Sequence, residues 1–510
     1  MVSSTVALAL TVCTLLGFTV LGVWYSCGRV DSVESLISAR NSAGDRRTTA
    51  TLVASVMGVW ILFAAPEAGA GFGIAAVVGY AIGEAVPMLV YAKLGPRIRE
   101  VMPNGHSLTE YAHVRYGDAM YGFVVVVSAL YMFVFLAAEL TGIAGALAFV
   151  AGVPQWQTAV LVGGFVLCYT AYGGLRASIV TDTVQALLVL PLLVLTVVAA
   201  VVSLGGPSAL VSGVETTNPS LLDPGFAAGL QFGLGLAFAV LGAELINQTW
   251  WQRIYAAEDG QTVSRSFRNA AGINGLLVFV AAFFGIVAVA NTDVVTDPTS
   301  TGYNADVAFF LLLDGAFPEW AVLAVVLLAL VLVVSSVDSL FNALSSLVTA
   351  DLARLLDRAS DRQLAFGART FTVIVALAAV YVSLRAQSVL RLFFLADLLG
   401  AAIAFPLVYG FYSERITGLG ALGSSVVGLA FGLAYFPDLR EYLTAVPVVG
   451  GLLPAADPLY LTSFGGAFLV STGLTLVAAR LSSTSFDLDR LGSEIRRLDE
   501  PMADGGERRN

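Results

Sequence analysis

Thirteen apolar runs, each long enough to cross the hydrocarbon core of a bilayer as a helix, divide this chain of 510 residues. About 20 helical residues span that core, whereas a tilted barrel strand needs only about 10. In lipid every backbone amide must find its partner inside the protein, so runs of this length read as helices and not as strands of an open sheet. Their approximate limits are 4–25, 49–71, 73–93, 119–151, 156–173, 176–203, 226–250, 269–291, 319–350, 368–384, 389–412, 418–436 and 459–480. Composition agrees, since 57% hydrophobic and 12% charged residues do not make an ordinary soluble domain. The expectation is an all-α polytopic membrane protein with about 13 transmembrane helices.

The first run has no basic segment before it and no small-residue cleavage site, so it reads as a retained helix and not as a signal peptide. Threading the spans with the amino terminus outside puts all but Arg385, Arg391 and Arg440 of the 26 Lys and Arg residues on one side. By the positive-inside rule that side is the cytoplasm, which predicts a multi-pass protein of the cell membrane with a cytoplasmic carboxyl terminus. The tail, 481–510, mixes Asp, Glu and Arg without apolar periodicity and reads as disordered or loosely helical. Cys13, Cys27 and Cys168 match no metal or disulfide spacing, and His106 and His113 both fall in one loop. The helices therefore lack the usual ligands of a haem or metal enzyme, and no enzymatic activity is expected.

Within this apolar background a few polar positions stand out. The stretch Tyr169–Gln185, YTAYGGLRASIVTDTVQ, places Asp182 where hydrocarbon is expected. A carboxylate at that depth costs at least roughly 2.5 kcal/mol, so it calls for a partner or a task. Span 319–350 carries Ser335, Ser336, Asp338 and Ser339. Ser335, Asp338 and Ser339 stand at i, i+3 and i+4, so they share a helix face and can jointly offer oxygens to a hard monovalent cation. Two acids this close repel unless one is protonated or a cation lies between them, and the cation is the expectation. Span 49–71 holds Gly58, Pro66, Glu67 and alternating glycines, while span 226–250 holds Gly229, Gly233, Gly235 and Gly242 before Glu244, Asn247 and Gln248. Both read as helices that unwind and expose carbonyls, and two such segments in corresponding halves mark an inverted-repeat transporter.

Three segments, YTAYGGLRASIVTDTVQ, VVSSVDSLFNALSSLVTADL and NQTWWQRIYAAED, together resemble the sodium:solute symporter family. The resemblance implies a ten-helix inverted-repeat core of the LeuT type, with one helix before it and two after. The corresponding units are 1–48, an extra helix and cytoplasmic loop; 49–203 and 204–412, the two repeats; 413–480, two further helices; and the tail 481–510. It also implies Na+ as coupling ion, held by the carbonyls of Ala54, Met57 and Leu332 and the hydroxyls of Ser335 and Ser336. A second sodium in some members corresponds to Asp182, Ser335, Asp338 and Ser339, with Asp338 standing where those members carry a hydroxyl. ASVMGVWILFAAP is similar to the proline branch except that Val56 replaces an aspartate, whereas LGPRIREVMPNGHSLTEYAHVRYG and INQTWWQRIYAAED resemble the urea branch.

The function expected is sodium-coupled import of a small polar solute, urea or an amino acid such as proline, by alternating access. Candidate substrate contacts are Trp60, Glu84, Tyr131, Glu139, Glu244, Asn247 and Asp397. Expected partners are the solute and the lipid bilayer, without nucleic acid or an obligatory protein partner. A channel would require a filter loop or polar ring that the sequence does not display. A solute sensor would require a signalling module larger than a tail of about 30 residues.

Overall fold

Glycine decides where the long apolar runs turn. Gly73 and Gly174 have φ of +69° and +56°, a region that a Cβ makes costly. Each breaks the helical backbone where one expected span gives way to the next, so Ala64–Val101 and Gln155–Ser203 are each two helices meeting at a kink.

The computed structural model describes residues 2–28, 34, 37–355, 361–386 and 388–497. The principal helices among them are α1 (Ser4–Ser26), α2 (Asp45–Val56), α3 (Ala64–Val101), α4 (Leu108–Tyr116), α5 (Asp118–Ala151), α6 (Gln155–Ser203) and α7 (Ala227–Leu245). They continue with α8 (Gln248–Ala256), α9 (Gly260–Asn291), α10 (Glu319–Leu355), α11 (Asp361–Ser383), α12 (Val389–Tyr409), α13 (Gly418–Tyr435) and α14 (Leu459–Leu481). No strand occurs among the described residues beyond an isolated bridge between Ala43 and Ala257.

Ten of the described helices are long and apolar enough to cross a membrane, against thirteen expected spans. The difference has local causes. Span 49–71 is divided among α2, a 3-10 turn at Val59–Leu62 and the first turns of α3. Spans 156–173 and 176–203 are the two arms of α6 on either side of the kink at Gly174 and count there as one, and the apolar part of α11, Arg369–Ser383, is shorter than a crossing. Of the expected tail, residues 498–510 lie outside the described residues, and the part before them forms one short helix, Asp489–Glu494.

The break after α2 has a specific cause. Gly58 gives its amide to the Val56 carbonyl at 2.9 Å, and Ile61 gives its amide to Gly58, so the carbonyls of Ala54 and Met57 lose the donors that a continuing helix would supply. Glu139 on α5 then accepts the amides of Val59 at 2.8 Å and Trp60 at 3.4 Å, a carboxylate at the start of a helical turn. A Cβ at position 58 would fall 2.2 Å from Glu139 Oε1, so only glycine admits the carboxylate. The second break is milder. α7 stops at Leu245, and Asn247 opens α8 by accepting the Thr249 amide at 3.0 Å. Small residues bring the broken helices against their neighbours, as at Gly242 of α7, whose Cβ would lie 2.3 Å from Ala401 of α12.

Candidate functional site

The polar residues singled out in the sequence gather in two places. The first lies where α2, α6, α8 and α10 meet. Asp182, wholly buried on the second half of α6, accepts Ser335 Oγ at 2.6 Å through Oδ1, and through Oδ2 it accepts Thr51 Oγ1 and pairs with Arg253 Nη2 at 3.1 Å. The same guanidinium donates to Ser339 Oγ at 2.7 Å and Ser55 Oγ at 2.9 Å. Asp338 is also fully buried, and accepts Tyr169 OH at 2.6 Å, Ser178 Oγ at 2.8 Å and Thr181 Oγ1 at 3.0 Å. The face formed by Ser335, Asp338 and Ser339 is thus directed at Asp182 and its neighbours, and the cation beside Asp182 belongs to the protein itself.

Next to this cluster lie the positions matched to the common sodium site. Ala54, Met57, Leu332, Ser335 and Ser336 are all buried. Ser336 Oγ is buried with no hydrogen-bond partner, and the Ala54 and Met57 carbonyls are those freed by the break in the helix. Ser335 spends its proton on Asp182, which leaves its lone pairs for a cation. The donor set is therefore carbonyl and hydroxyl oxygen, the chemistry a hard monovalent cation takes.

The second place is a cavity walled by Trp60, Tyr80, Tyr131, Phe135 and Phe393, into which Glu84, Glu244 and Asp397 project. Trp60 stacks on Tyr80 with ring centroids 5.5 Å apart and meets Phe393 edge-on at 5.9 Å. No Lys or Arg among the described residues lines the space. Glu244 is held by Tyr131 OH at 3.1 Å, by Trp250 Nε1 and by Asn247 Nδ2 at 3.4 Å, whereas Glu84 Oε2 is buried without a partner. The space measures about 20 Å³, room for roughly one water, so a solute is admitted only when the walls part.

Five of the seven candidate substrate contacts, Trp60, Glu84, Tyr131, Glu244 and Asp397, line this one cavity. The other two do not. Glu139 is spent on the amides of the broken helix, and Asn247 orients Glu244 from behind while capping α8. Arg253 was invisible as a site residue, because a basic residue in NQTWWQRIYAAED reads as a loop charge on the positive-inside count. One signal was available. Arg253 stands in a run of large apolar side chains, Trp250, Trp251, Ile254 and Tyr255, all of which are buried. Thr51, Ser55, Ser178 and Thr181 carried no signal, since hydroxyls in apolar helices usually bond back to their own helix.

Comparison with known proteins bears on both places. Spermidine transporter DUR31 of Candida albicans is 26% identical over 463 residues, covering 88% of this chain and 85% of that one. The osmoregulated proline transporter OpuE of Bacillus subtilis is 25% identical, with 80% and 84% covered. A probable urea active transporter of Schizosaccharomyces pombe is 20% identical, and the match spans 71% of this chain and 59% of that longer protein. Among solved structures, a Na+-coupled sialic acid symporter superposes with a TM-score of 0.76 at 17% identity, covering 94% of this chain and 98% of its own. The transporter Mhp1 of the nucleobase-cation-symport-1 family follows at 0.56 and 13%, with 89% and 97% covered. These two similarities show that the chain shares their fold. The model of the sodium:solute symporter family matches residues 37–428, a stretch that contains both broken helices, the Asp182 cluster and the acidic cavity, and the chain belongs to that family.

Proposed function

We propose that the protein is a sodium-coupled symporter of the cell membrane that imports a small organic solute carrying amino groups, by alternating access. One observation carries the choice of solute: three buried carboxylates, Glu84, Glu244 and Asp397, face an aromatic cavity that no basic residue among the described ones lines. Ammonium groups meet carboxylates through charge-assisted hydrogen bonds and aromatic faces through cation–π contact. Urea or proline, the solutes implied by the motifs, would leave at least two of these acids without a partner of opposite charge. The similarity to a spermidine transporter supports the same reading.

Sodium is assigned to the carbonyls of Ala54, Met57 and Leu332 and the hydroxyls of Ser335 and Ser336. The freed carbonyls and the unpartnered Ser336 hydroxyl support this assignment. Residues 49–203 and 204–412 are the two inverted repeats, with 1–48 before them and 413–480 after; the paired breaks at Gly58 and Ile246 support that division. The amino terminus lies outside and the carboxyl terminus in the cytoplasm. Each sodium entering down a potential of about 100 mV releases about 2.3 kcal/mol to drive uptake.

Uptake of labelled spermidine, urea and proline into proteoliposomes, with and without an inward sodium gradient, tests the proposal. Spermidine should accumulate only with the gradient; accumulation of urea or proline in its place overturns the solute class, and uptake indifferent to sodium overturns the coupling. Ser336→Ala should raise the sodium concentration for half-maximal uptake about tenfold, equivalent to about 1.4 kcal/mol. Unchanged sodium dependence in a correctly inserted variant removes Ser336 from the ion's ligands.

A further inference from the structure

By composition the tail reads as disordered or loosely helical, yet residues 482–495 lie as a strap across the face on which α3 and α12 end. Phe486 gives its amide to the Glu414 carbonyl at 2.8 Å, and Ser485 gives its hydroxyl to Glu414 Oε2 at 3.0 Å, both in the loop that follows α12. The ring of Phe486 lies against the Arg115 guanidinium of α4 at 4.6 Å, a cation–π contact. That guanidinium is itself fixed to the same loop, donating to the carbonyls of Gly410 at 3.2 Å, Ser413 at 2.6 Å and Ile416 at 3.0 Å. The strap then forms the short helix Asp489–Glu494, which packs on both α4 and α3. Leu491 and Ile495 are buried, and a Cβ at Gly492 would stand 3.5 Å from the Val101 carbonyl at the end of α3 and 3.8 Å from Pro103.

The strap joins elements that are otherwise held unequally. α4 is bound to α12 directly, since Tyr111 OH donates to the Leu407 carbonyl at 2.9 Å and Tyr116 OH to that of Pro406 at 2.6 Å. α3 reaches the loop after α12 through a longer bond, from Arg97 Nε to the Phe411 carbonyl at 3.4 Å. The same helices wall the cavity, with Tyr80 and Glu84 on α3 and Phe393 and Asp397 on α12. A solute is admitted or released only when those walls part, and a ligament across the ends of α3 and α12 opposes their parting on that side. A segment that binds one of two conformations shifts the population towards it. Its anchors are Phe486, Leu491, Ile495 and hydrogen bonds at an exposed surface, so the strap can peel away without any membrane helix unfolding.

We infer that residues 482–495 are an autoinhibitory strap: docked, they hold α3 to the loop after α12 and keep the cavity shut on the face that bears the carboxyl terminus, and undocked they let it open there. The inference rests on the alternating-access reading above and adds to it that the chain's own tail limits the opening on one side.

The test is the rate at which a membrane-impermeant maleimide reaches the cavity wall in vesicles that turn the carboxyl-terminal face to the medium. The target is Val240→Cys, in a chain that also carries Cys13→Ser, Cys27→Ser and Cys168→Ser. Adding Leu491→Asp, which puts a charge into the buried anchor, or ending the chain at Leu481, which removes the strap, should each speed the reaction at least about threefold over the parent. Trypsin should also cut Leu491→Asp faster at Arg490, as the strap leaves its seat. Equal maleimide rates in the parent and either variant overturn the inference, and so does a Leu491→Asp chain that trypsin cuts no faster; where the shortened chain is not recovered, Leu491→Asp decides. No reaction from either face of any chain defeats the alternating-access reading, and the inference with it. Reaction from both faces that ignores the tail leaves that reading intact and overturns the strap alone. The labelling uses neither solute nor sodium, so a failure of spermidine uptake does not touch it.

Discussion

The Arg253 cluster and the aromatic cavity both bury carboxylates, but they satisfy them differently. Asp182 has a guanidinium and the hydroxyls of Thr51, Ser55, Ser178 and Ser335, Asp338 has only hydroxyls, and Glu139 has two backbone amides. In the cavity, Glu244 is held by a phenol, an indole and an amide, while Glu84 keeps one buried oxygen with no partner and no basic residue among the described ones lines the space. A buried acid whose partners all come from the protein is fixed in place. One that faces a cavity with an oxygen to spare is available to a ligand, because burying a charge without a partner is costly and is retained only where something returns the cost.

Removing the cation from the satisfied cluster should have the largest effect. Arg253→Ala leaves Asp182 buried without its countercharge, a change that typically destabilises by about 3–5 kcal/mol. Thermal unfolding in detergent should show a large drop in Tm, and an unchanged Tm would mean the pair is no part of what holds the helices together. Gly58→Ala strikes the other satisfied acid, since the new Cβ must displace Glu139 from the amides of the broken helix. Overpacking of this kind costs about 1–3 kcal/mol, and the double variant with Glu139→Gln should recover little, because the steric conflict persists.

The cavity should respond in the opposite sense. Glu84→Gln keeps the shape and removes an unpaired charge, so unfolding should stay at the wild-type Tm while kcat/KM for spermidine uptake falls at least about tenfold, or about 1.4 kcal/mol. If Glu84→Gln instead destabilises the protein and transports normally, the two regions do not differ as described. Asp397→Asn should behave in the same way.

The smallest effect is expected outside the membrane helices, in a third charged group that is also satisfied. His106 is buried in the loop after α3, with Nε2 2.5 Å from Glu34 and Nδ1 3.2 Å from Glu110, while Arg40 reaches Glu34 at 3.2 Å. Burial alone pushes the imidazole down, but the two carboxylates outweigh it and raise it to about 9. Burial likewise pushes Glu34 up, and the hydrogen bond and charge of His106 together with Arg40 outweigh it and hold Glu34 at about 2. The sign follows for each. The raised imidazole stabilises fully below its ordinary value of 6.5, and that contribution is lost as pH rises through about 9; the depressed carboxyl stabilises above 4.5 and its contribution is lost as pH falls through about 2. The Tm should therefore decline between pH 6.5 and 9, and His106→Gln should flatten that limb. A decline of equal size in the variant would place its origin elsewhere.

Both breaks and the serine face were legible in the sequence, because each rests on local chemistry. Gly58 and the glycines of 226–250 announce helices that do not run straight, and the spacing of Ser335, Asp338 and Ser339 puts three oxygens on one face. The cavity was mostly legible for the same reason, since Glu84, Glu244 and Asp397 are acids where hydrocarbon is expected. Glu139, another buried acid, lies instead on the amides of Val59 and Trp60, and Asn247 caps α8. Nothing local separates an acid that caps a neighbouring turn from one that faces a solute. The boundaries between spans near residues 72 and 174 were legible too, because a glycine of positive φ interrupts the helix at each.

By itself the sequence determined the class of molecule: apolar runs of this length can satisfy their backbones in lipid only as helices, and acids within them must have a purpose. Only the tertiary structure decided which purpose each acid serves. Thr51, Asp182, Arg253 and Ser335 lie far apart in the chain and on four different helices. Whether a buried carboxylate meets a guanidinium, an amide or an open cavity depends on how those helices pack side by side, and residue spacing within one helix carries no record of it.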